Sequence, residues 1–272
     1  MKFADLHLHT LYSDGTYSAQ QLVKEAAAHG LSAIAVVDHD TVLGIEPSME
    51  AGDARGIEVV PGIELTAEHQ GSEIHILGYF IDYKNTELLG QLDLLKKNRI
   101  ERIYKMSEKL NGLGVDLDPE SVFAVAKNAT PGRLHVARAL LREGLVKSIY
   151  EAFAKFIGDK GPAYVSGFRL SPSQAVALIE KAGGIPVLAH PYVLPKDLTI
   201  PCFVECGIKG LEVYYPEHTN SMIDYYLEIA KKYNLLVTGG SDCHGDAKPE
   251  VRIGSIKIPY ELVLALKKNR KN

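Results

Sequence analysis

Histidine and acidic residues recur in this chain at the ends of short apolar runs. Asp5-Leu6-His7-Leu8-His9-Thr10 is followed by Ser13-Asp14-Gly15, and Asp38-His39-Asp40 comes next. Further along lie Pro61-Gly62-Ile63-Glu64, His75, His190-Pro191 and Ser241-Asp242-Cys243-His244-Gly245. His7 and His9 are two apart, so on a strand both imidazoles face one side and can hold one ion; Asp242 and His244 share that spacing. Six imidazoles (His7, His9, His39, His75, His190, His244) and three carboxylates (Asp14, Glu64, Asp242) on one mouth would repel one another, or strand buried polar groups, without cations among them. These ligands exceed what one four-to-six-coordinate ion can use. The pattern therefore predicts two or three divalent ions, with Glu64 placed to bridge. Mixed nitrogen and oxygen donors suit Mn, Zn or Fe better than Ca or Mg. Cys243, between two of these residues, should point the other way. Each motif alone has an ordinary reading: a hydrogen-bonded His pair, a helix cap at Asp40, a turn at Asp242. Their recurrence at successive strand ends argues for a site.

The elements that position these residues alternate. Residues 2–8, 33–37, 58–63, 74–80, 185–189, 210–214 and 235–239 read as strands, several apolar almost throughout, as where both faces of a parallel sheet are covered. Helical stretches lie between them. One starts at Ser18 and stops near His29-Gly30; another opens with Ser171 as N-cap and Pro172 at the first helical position. Residues 219–233 and 259–270 also have helical spacing. This order argues for an α/β architecture, and the length suits a barrel whose strand ends build the site on one face. The alternation breaks between about residues 88 and 168, where amphipathic helices (88–110, 119–126, 133–143) replace strands. The expected division is a barrel of residues 1–99 and 169–272 with a helical insertion, 100–168, capping the site. Residues 158–162 form the loop back to the barrel.

The composition narrows the class. A chain of 272 residues buries roughly three quarters of its unfolded surface, so its core needs no disulfide. A net charge of -4 excludes a sequence-blind duplex coater held by a broad basic surface, but not a small phosphorylated substrate in a local pocket. The basic tail Lys267-Lys268-Asn269-Arg270-Lys271 reads as a solvated helix end. Three scattered cysteines, no signal-peptide pattern and no apolar run near 18 residues point to a cytoplasmic, non-membrane protein.

The ordered motifs quoted above resemble those of the polymerase and histidinol phosphatase (PHP) family along almost the whole chain. The resemblance implies a distorted seven-stranded, TIM-like (β/α)7 barrel holding a three-metal cluster. Carried over residue by residue, one ion is expected at His7, His9, Glu64 and Asp242, a second at Glu64, His75 and His190, and a third at Asp14, His39 and His244. Many relatives place His where this chain has Asp14, a variant familiar from the nucleotide phosphoesterase branch. Thr130-Pro131-Gly132-Arg133-Leu134-His135-Val136-Ala137-Arg138 resembles the segment of that branch that reaches over the metals and grips the phosphate. Arg133 and His135 are thus expected at the substrate, and a guanidinium fork suits phosphate oxygens. Lys160, Tyr164, Tyr215 and His218 are further candidates for substrate contact. His29 and His69 receive no role.

The implied activity is a metal-dependent phosphoesterase: a metal-activated hydroxide attacks in line, with Asp14, Glu64, His135 and Asp242 as the catalytic set. His135 or a metal-bound water protonates the leaving alkoxide. The expected substrate is a small nucleotide, a nucleoside 3′,5′-bisphosphate giving the 5′-monophosphate and phosphate. The rivals are 5′-to-3′ trimming of short RNA or DNA oligonucleotides, hydrolysis of histidinol phosphate, and amidohydrolase chemistry. That last class bridges its ions with a carboxylated Lys, where this chain has Glu64. No protein partner is implied.

Overall fold

The computed structural model describes residues 1–127, 129–158, 160–166, 170–195 and 198–270. The first expected strand forms as β1 (Phe3–Leu8), and five of its six residues are buried. The others are β2 (Ala33–Val36), β3 (Glu58–His69), β4 (Ser72–Tyr79), β5 (Ile185–Leu188), β6 (Gly210–Tyr214), β7 (Leu236–Gly239) and a two-residue β8 (Ile258–Pro259). Among the described residues they make one sheet in the order β7-β6-β5-β4-β3-β2-β1-β8. The sheet nearly closes. Leu8 bridges Cys243 in parallel, the Asp242 N–H donates to His7 O at 2.8 Å, and the His9 N–H donates to Cys243 O at 3.1 Å. The expected TIM-like α/β barrel is thus present, with β8 added antiparallel to β1.

Among the seven expected strands, the parallel run fails at one strand, β4. β4 runs antiparallel to both β3 and β5. β3 continues six residues past its expected end and turns through Gln70 and Gly71, whose φ values of 52° and 78° suit a two-residue hairpin turn. Polar Glu68, His69 and Gln70 disguise this hairpin, whereas Leu65, Ala67, Ile74 and Ile76 alternate onto the helix-covered face and are buried with Leu92 and Ile179, leaving Glu64 and His75 on the barrel side. The reversal brings the first half of β4 to the mouth, where His75 pairs with Thr66.

α1 (Ala19–Ala28) carries a Ser18/Gln21 capping box. α2 (Ile45–Asp53) adds a helix between β2 and β3; its Pro47 lies in the first turn, where the missing N–H costs nothing. α3 (Thr86–Gly112) is a 27-residue helix. α4 (Pro119–Ala126), α5 (Arg133–Arg142) and α6 (Ile149–Ala152) follow, the last running into a π-helical turn at Phe153–Ile157. The return side comprises α7 (Pro172–Lys181), α8 (Ile200–Glu205), α9 (Asn220–Lys232) and α10 (Tyr260–Lys268). Leu88, Leu92 and Leu95 of α3 pack in the core that holds Ile63, Ile76 and Ile179. Ile103, Met106 and Leu110 of the same helix pack in a separate core with Val136, Leu140 and Ile157. The expected junction at residues 99 and 100 therefore falls inside one unbroken helix. The expected junction at 168 and 169, Asp159 of the return loop and Lys271 of the tail lie outside the described residues.

Candidate metal centre

β1 delivers His7 and His9 to the barrel interior, both fully buried. Leu8 between them faces outward and packs with Cys243, Leu22 and Ile34. Cys243 thus points away from the site; its thiol bonds Val251 O, and burial pushes it up to about 11. The turn after β7 must pass hard against β1. A Cβ on Gly240 would collide with the His7 backbone and Cβ. His190 and Asp242 take left-handed backbone conformations, φ 24° and 55°, at the ends of their strands. Such positions cost about 1–3 kcal/mol each and persist only where surrounding bonds hold them.

Glu64 sits at the centre and is 1% exposed. Its Oε2 lies 3.2 Å from His7 Nε2, 3.2 Å from His9 Nε2 and 3.3 Å from His39 Nδ1. Its Oε1 lies 2.9 Å from His75 Nδ1 and 3.1 Å from His190 Nε2. Asp242 Oδ1 is 3.4 Å from His7 Nε2 and 3.1 Å from His9 Nε2. Asp14 Oδ1 is 3.2 Å from His244 Nε2, and its Oδ2 is 3.8 Å from His39 Nε2. All nine expected metal-ligating residues are thus brought together. Among the described residues three groups could each hold an ion: His7, His9, Glu64 and Asp242; His9, Asp14, His39 and His244; and His39, Glu64 and His75. Compared with the expected sets, His9 also faces the Asp14 group and His39 the Glu64–His75 pair, with His190 adjoining that pair.

The donor atoms fit cations better than one another. His9 Nδ1 and Nε2, Asp14 Oδ1, His39 Nδ1 and His190 Nδ1 are buried without a hydrogen-bond partner among the described residues. Orphaned buried groups of this kind are costly unless something fills the space between them. Burial opposes charge on His7, His9, His75, Glu64, Asp14 and Asp242, and for these the neighbours decide the outcome. Asp242 and Glu64 push His9 up to about 9, Glu64 and Glu73 push His75 up to about 10, and Glu212 with Glu64 lifts His7 well above its usual range. Glu64 is held well below the carboxylate range by His39, His75 and His7, Asp14 by His244 and His39, and Asp242 by Lys248 and His244. His39 follows its burial instead and falls to about 3. The cluster collects positive charge, first as protons, and divalent ions supply the same charge without them.

Carboxylates of the motifs outside the nine serve the backbone. Asp38 accepts from Thr10 N at 2.7 Å and Ser13 Oγ at 2.5 Å, fixing the loop that carries Asp14. Asp5 accepts from Ser241 N and Gly254 N. Asp40 caps no helix: it accepts from Thr66 N and pairs with Arg99 of α3, whose NH1 also reaches Pro131 O.

The candidate substrate residues divide. Arg133 lines a cavity of about 820 Å³ with Asp14, His39, His75, Asp242 and His244. Its NH2 is 3.1 Å from Glu73 Oε2, and its guanidinium lies over the rings of Tyr164 and Phe153 at 5.6 and 5.8 Å. Tyr215 also lines it and donates to Asp242 Oδ2 at 2.8 Å. His135 is buried behind this wall, accepting from Gly132 N–H through Nδ1, and burial lowers it to about 4. His218 is buried with Nδ1 on Val213 O, and Lys160 is exposed; neither lines the cavity. Lys248, Glu73, Tyr192 and Glu212 were not singled out from the sequence. Lys248 bonds Asp242 Oδ2 at 2.9 Å, and Glu73 bonds His75 Nε2 at 3.0 Å. Glu73 did carry a signal, the same two-residue spacing to His75 that flagged His7 and His9. Glu212 carried another, as the lone acid in an apolar strand.

Residues 5–158 match the PHP domain model. Over 252 residues the chain is 31% identical to the phosphoribosyl 1,2-cyclic phosphate 1,2-diphosphodiesterase of Eggerthella lenta, covering 89% of this chain and 94% of the relative. It is 31% identical over 247 residues to the 5′-3′ exoribonuclease of Haemophilus influenzae, covering 88% and 89%. It is 30% identical over 246 residues to the 3′,5′-nucleoside bisphosphate phosphatase of Chromobacterium violaceum, covering 88% and 86%. A solved structure from Bifidobacterium adolescentis, described as a metal-dependent phosphoesterase, superposes with a TM-score of 0.91 at 30% identity over 99% of this chain and 96% of that one. The chain belongs to the PHP family and is a metal-dependent phosphoric ester hydrolase. Among the described residues, no helix is long and apolar enough to cross a membrane.

Proposed function

We propose that the enzyme hydrolyses a phosphomonoester of a small nucleotide, a nucleoside 3′,5′-bisphosphate giving the 5′-monophosphate and phosphate. The observation that carries this reading is the make-up of the 820 Å³ cavity. Asp14, His39, His75, Asp242 and His244 of the carboxylate–imidazole cluster line it, together with the cations Arg133 and Lys248 and the apolar and aromatic side chains of Ile149, Tyr150, Phe153 and Tyr192. This set matches a ligand with phosphate at one end and a planar base at the other. Glu217 and Glu250 also line it and disfavour a long polyanion.

In this reading two or three ions, Mn, Zn or Fe, are held by His7, His9, Glu64 and Asp242; by Glu64, His75 and His190 with His39; and by Asp14, His39 and His244. Such ions supply Lewis acidity, lowering the pKa of water and offsetting charge on the phosphoryl oxygens. The chain does the rest. Tyr215 and Lys248 occupy Asp242 Oδ2 and leave Oδ1 facing His7 and His9. Arg133 turns its fork from Glu73 to the non-bridging phosphate oxygens. His135 holds the start of α5 through Gly132 and so aims Arg133 from behind. The free cysteines Cys202, Cys206 and Cys243 accord with a reducing, cytoplasmic setting.

The relatives carry three different reactions, so the test is a substrate panel run with Mn, Zn and Fe. It should contain a nucleoside 3′,5′-bisphosphate, a 5′-phosphorylated oligonucleotide, a phosphoribosyl 1,2-cyclic phosphate and histidinol phosphate. The proposal expects the bisphosphate to have the highest kcat/KM. It falls if the oligonucleotide or the cyclic phosphate is turned over and the bisphosphate is not.

A further inference from the structure

Glu212 stands in the middle of β6, inside the barrel beneath the cluster, and is fully buried. A lone carboxylate there is expensive unless both oxygens are engaged. Both are. Oε1 lies 2.9 Å from His7 Nδ1, and Oε2 accepts the backbone N–H of His190 at 2.8 Å. The first contact decides a tautomer. With its proton on Nδ1 and aimed at Glu212, the His7 ring turns a lone pair on Nε2 toward Glu64 Oε2 and Asp242 Oδ1. The second contact holds a backbone. His190 sits at φ 24°, a conformation an L-residue adopts only under constraint, and its Nε2 thereby reaches Glu64 Oε1. His7 and His190 approach opposite oxygens of the central carboxylate.

We infer that Glu212 is a positioning residue that sets His7 and His190 together, and so couples the two halves of the ion cluster on either side of Glu64. It does so without touching substrate. This rests on the reading of the cluster as an ion site.

E212Q separates the two duties because an amide cannot perform both. If its carbonyl faces His7, its NH2 faces the His190 N–H, donor against donor. If its carbonyl faces His190, its NH2 faces His7 Nδ1; the imidazole proton then moves to Nε2, which can no longer coordinate. Shape is conserved, so the fold should persist. Partners of this kind typically govern about 10–100-fold in metal affinity or activity.

The experiment measures Zn and Mn affinity and stoichiometry by chelator competition in purified wild type and E212Q. The expected result is a 10–100-fold weaker affinity in a folded E212Q. Long-range 1H–15N NMR on the zinc-loaded wild type gives an independent readout, with the His7 proton expected on Nδ1. Equal affinity and stoichiometry in wild type and E212Q overturn the inference and leave the ion site standing. A His7 proton on Nε2 in the loaded wild type overturns it as well, even if E212Q does not fold. A wild type that binds no divalent ion at all overturns the ion-site reading itself, and this inference with it.

Discussion

Arg133→Ala tests whether the cationic wall binds the substrate or assembles the chemistry. The side chain is 14% exposed, pairs with Glu73 at 3.1 Å, and lies near the rings of Tyr164 and Phe153. A charge-assisted fork on a phosphate is worth about 1.5–3 kcal/mol, roughly 10- to 150-fold in an equilibrium constant. Part of that is offset, because NH2 must give up Glu73 to reach the substrate. The expected rise in KM is therefore about 10–100-fold. kcat should stay within about threefold, since uniform binding lost from ground and transition states alike leaves kcat unchanged. Arg133→Lys keeps the charge and loses the fork, so it should fall between wild type and Ala. The assay is phosphate release from a nucleoside 3′,5′-bisphosphate at saturating metal, with bound metal quantified in parallel. An unchanged KM with a collapse of kcat and of metal content would refute the reasoning. It would place Arg133 among the supports of His75, acting through Glu73.

Two further perturbations separate the ions from their scaffold. Asp14→Ala removes the one carboxylate of its group and should abolish phosphate release with loss of one ion; wild-type turnover in a variant that has lost that ion would sink the three-ion scheme. His135 is buried in its neutral form, so the fold resists protonating it down to about 4, whereas the unfolded chain takes up the proton near 6.5. Its contribution to stability is whole above pH 6.5 and drains away as pH falls toward 4, by about 3 kcal/mol in all and about 2 kcal/mol by pH 5. Denaturant midpoints of the metal-free protein between pH 7.5 and 5 should therefore fall more steeply for wild type than for His135→Gln; parallel slopes would remove His135 from this account.

How legible the site was depended on periodicity. His7 and His9 were readable because their two-residue spacing survives any detail of the barrel, and Asp242 and His244 because they follow an apolar strand into a Gly-flanked turn. The barrel was readable for the same reason, since strands covered on both faces are nearly continuous in apolar residues. The β3–β4 hairpin was not, because its turn residues, Gln70 and Gly71, sit in a polar run that looks like a loop. Arg99 was invisible for a different reason. In Lys96-Lys97-Asn98-Arg99 it reads as one more solvated cation, and only the fold brings it to Asp40, Thr66 and Pro131. Roles set by contacts distant in the chain leave little mark on local spacing.

α3 has a mechanical meaning as well as a structural one. One helix, about 40 Å from end to end, is anchored by Leu88, Leu92 and Leu95 in one core and by Ile103, Met106 and Leu110 in another. Arg99, between these anchors, grips both the loop after β2 and the loop before α5. The helices around Arg133 are consequently joined to the barrel by one continuous rod, pinned at its middle by Arg99, rather than by a linker: the core beneath the Arg133 helix and the core beneath β3 and β4 share a single backbone.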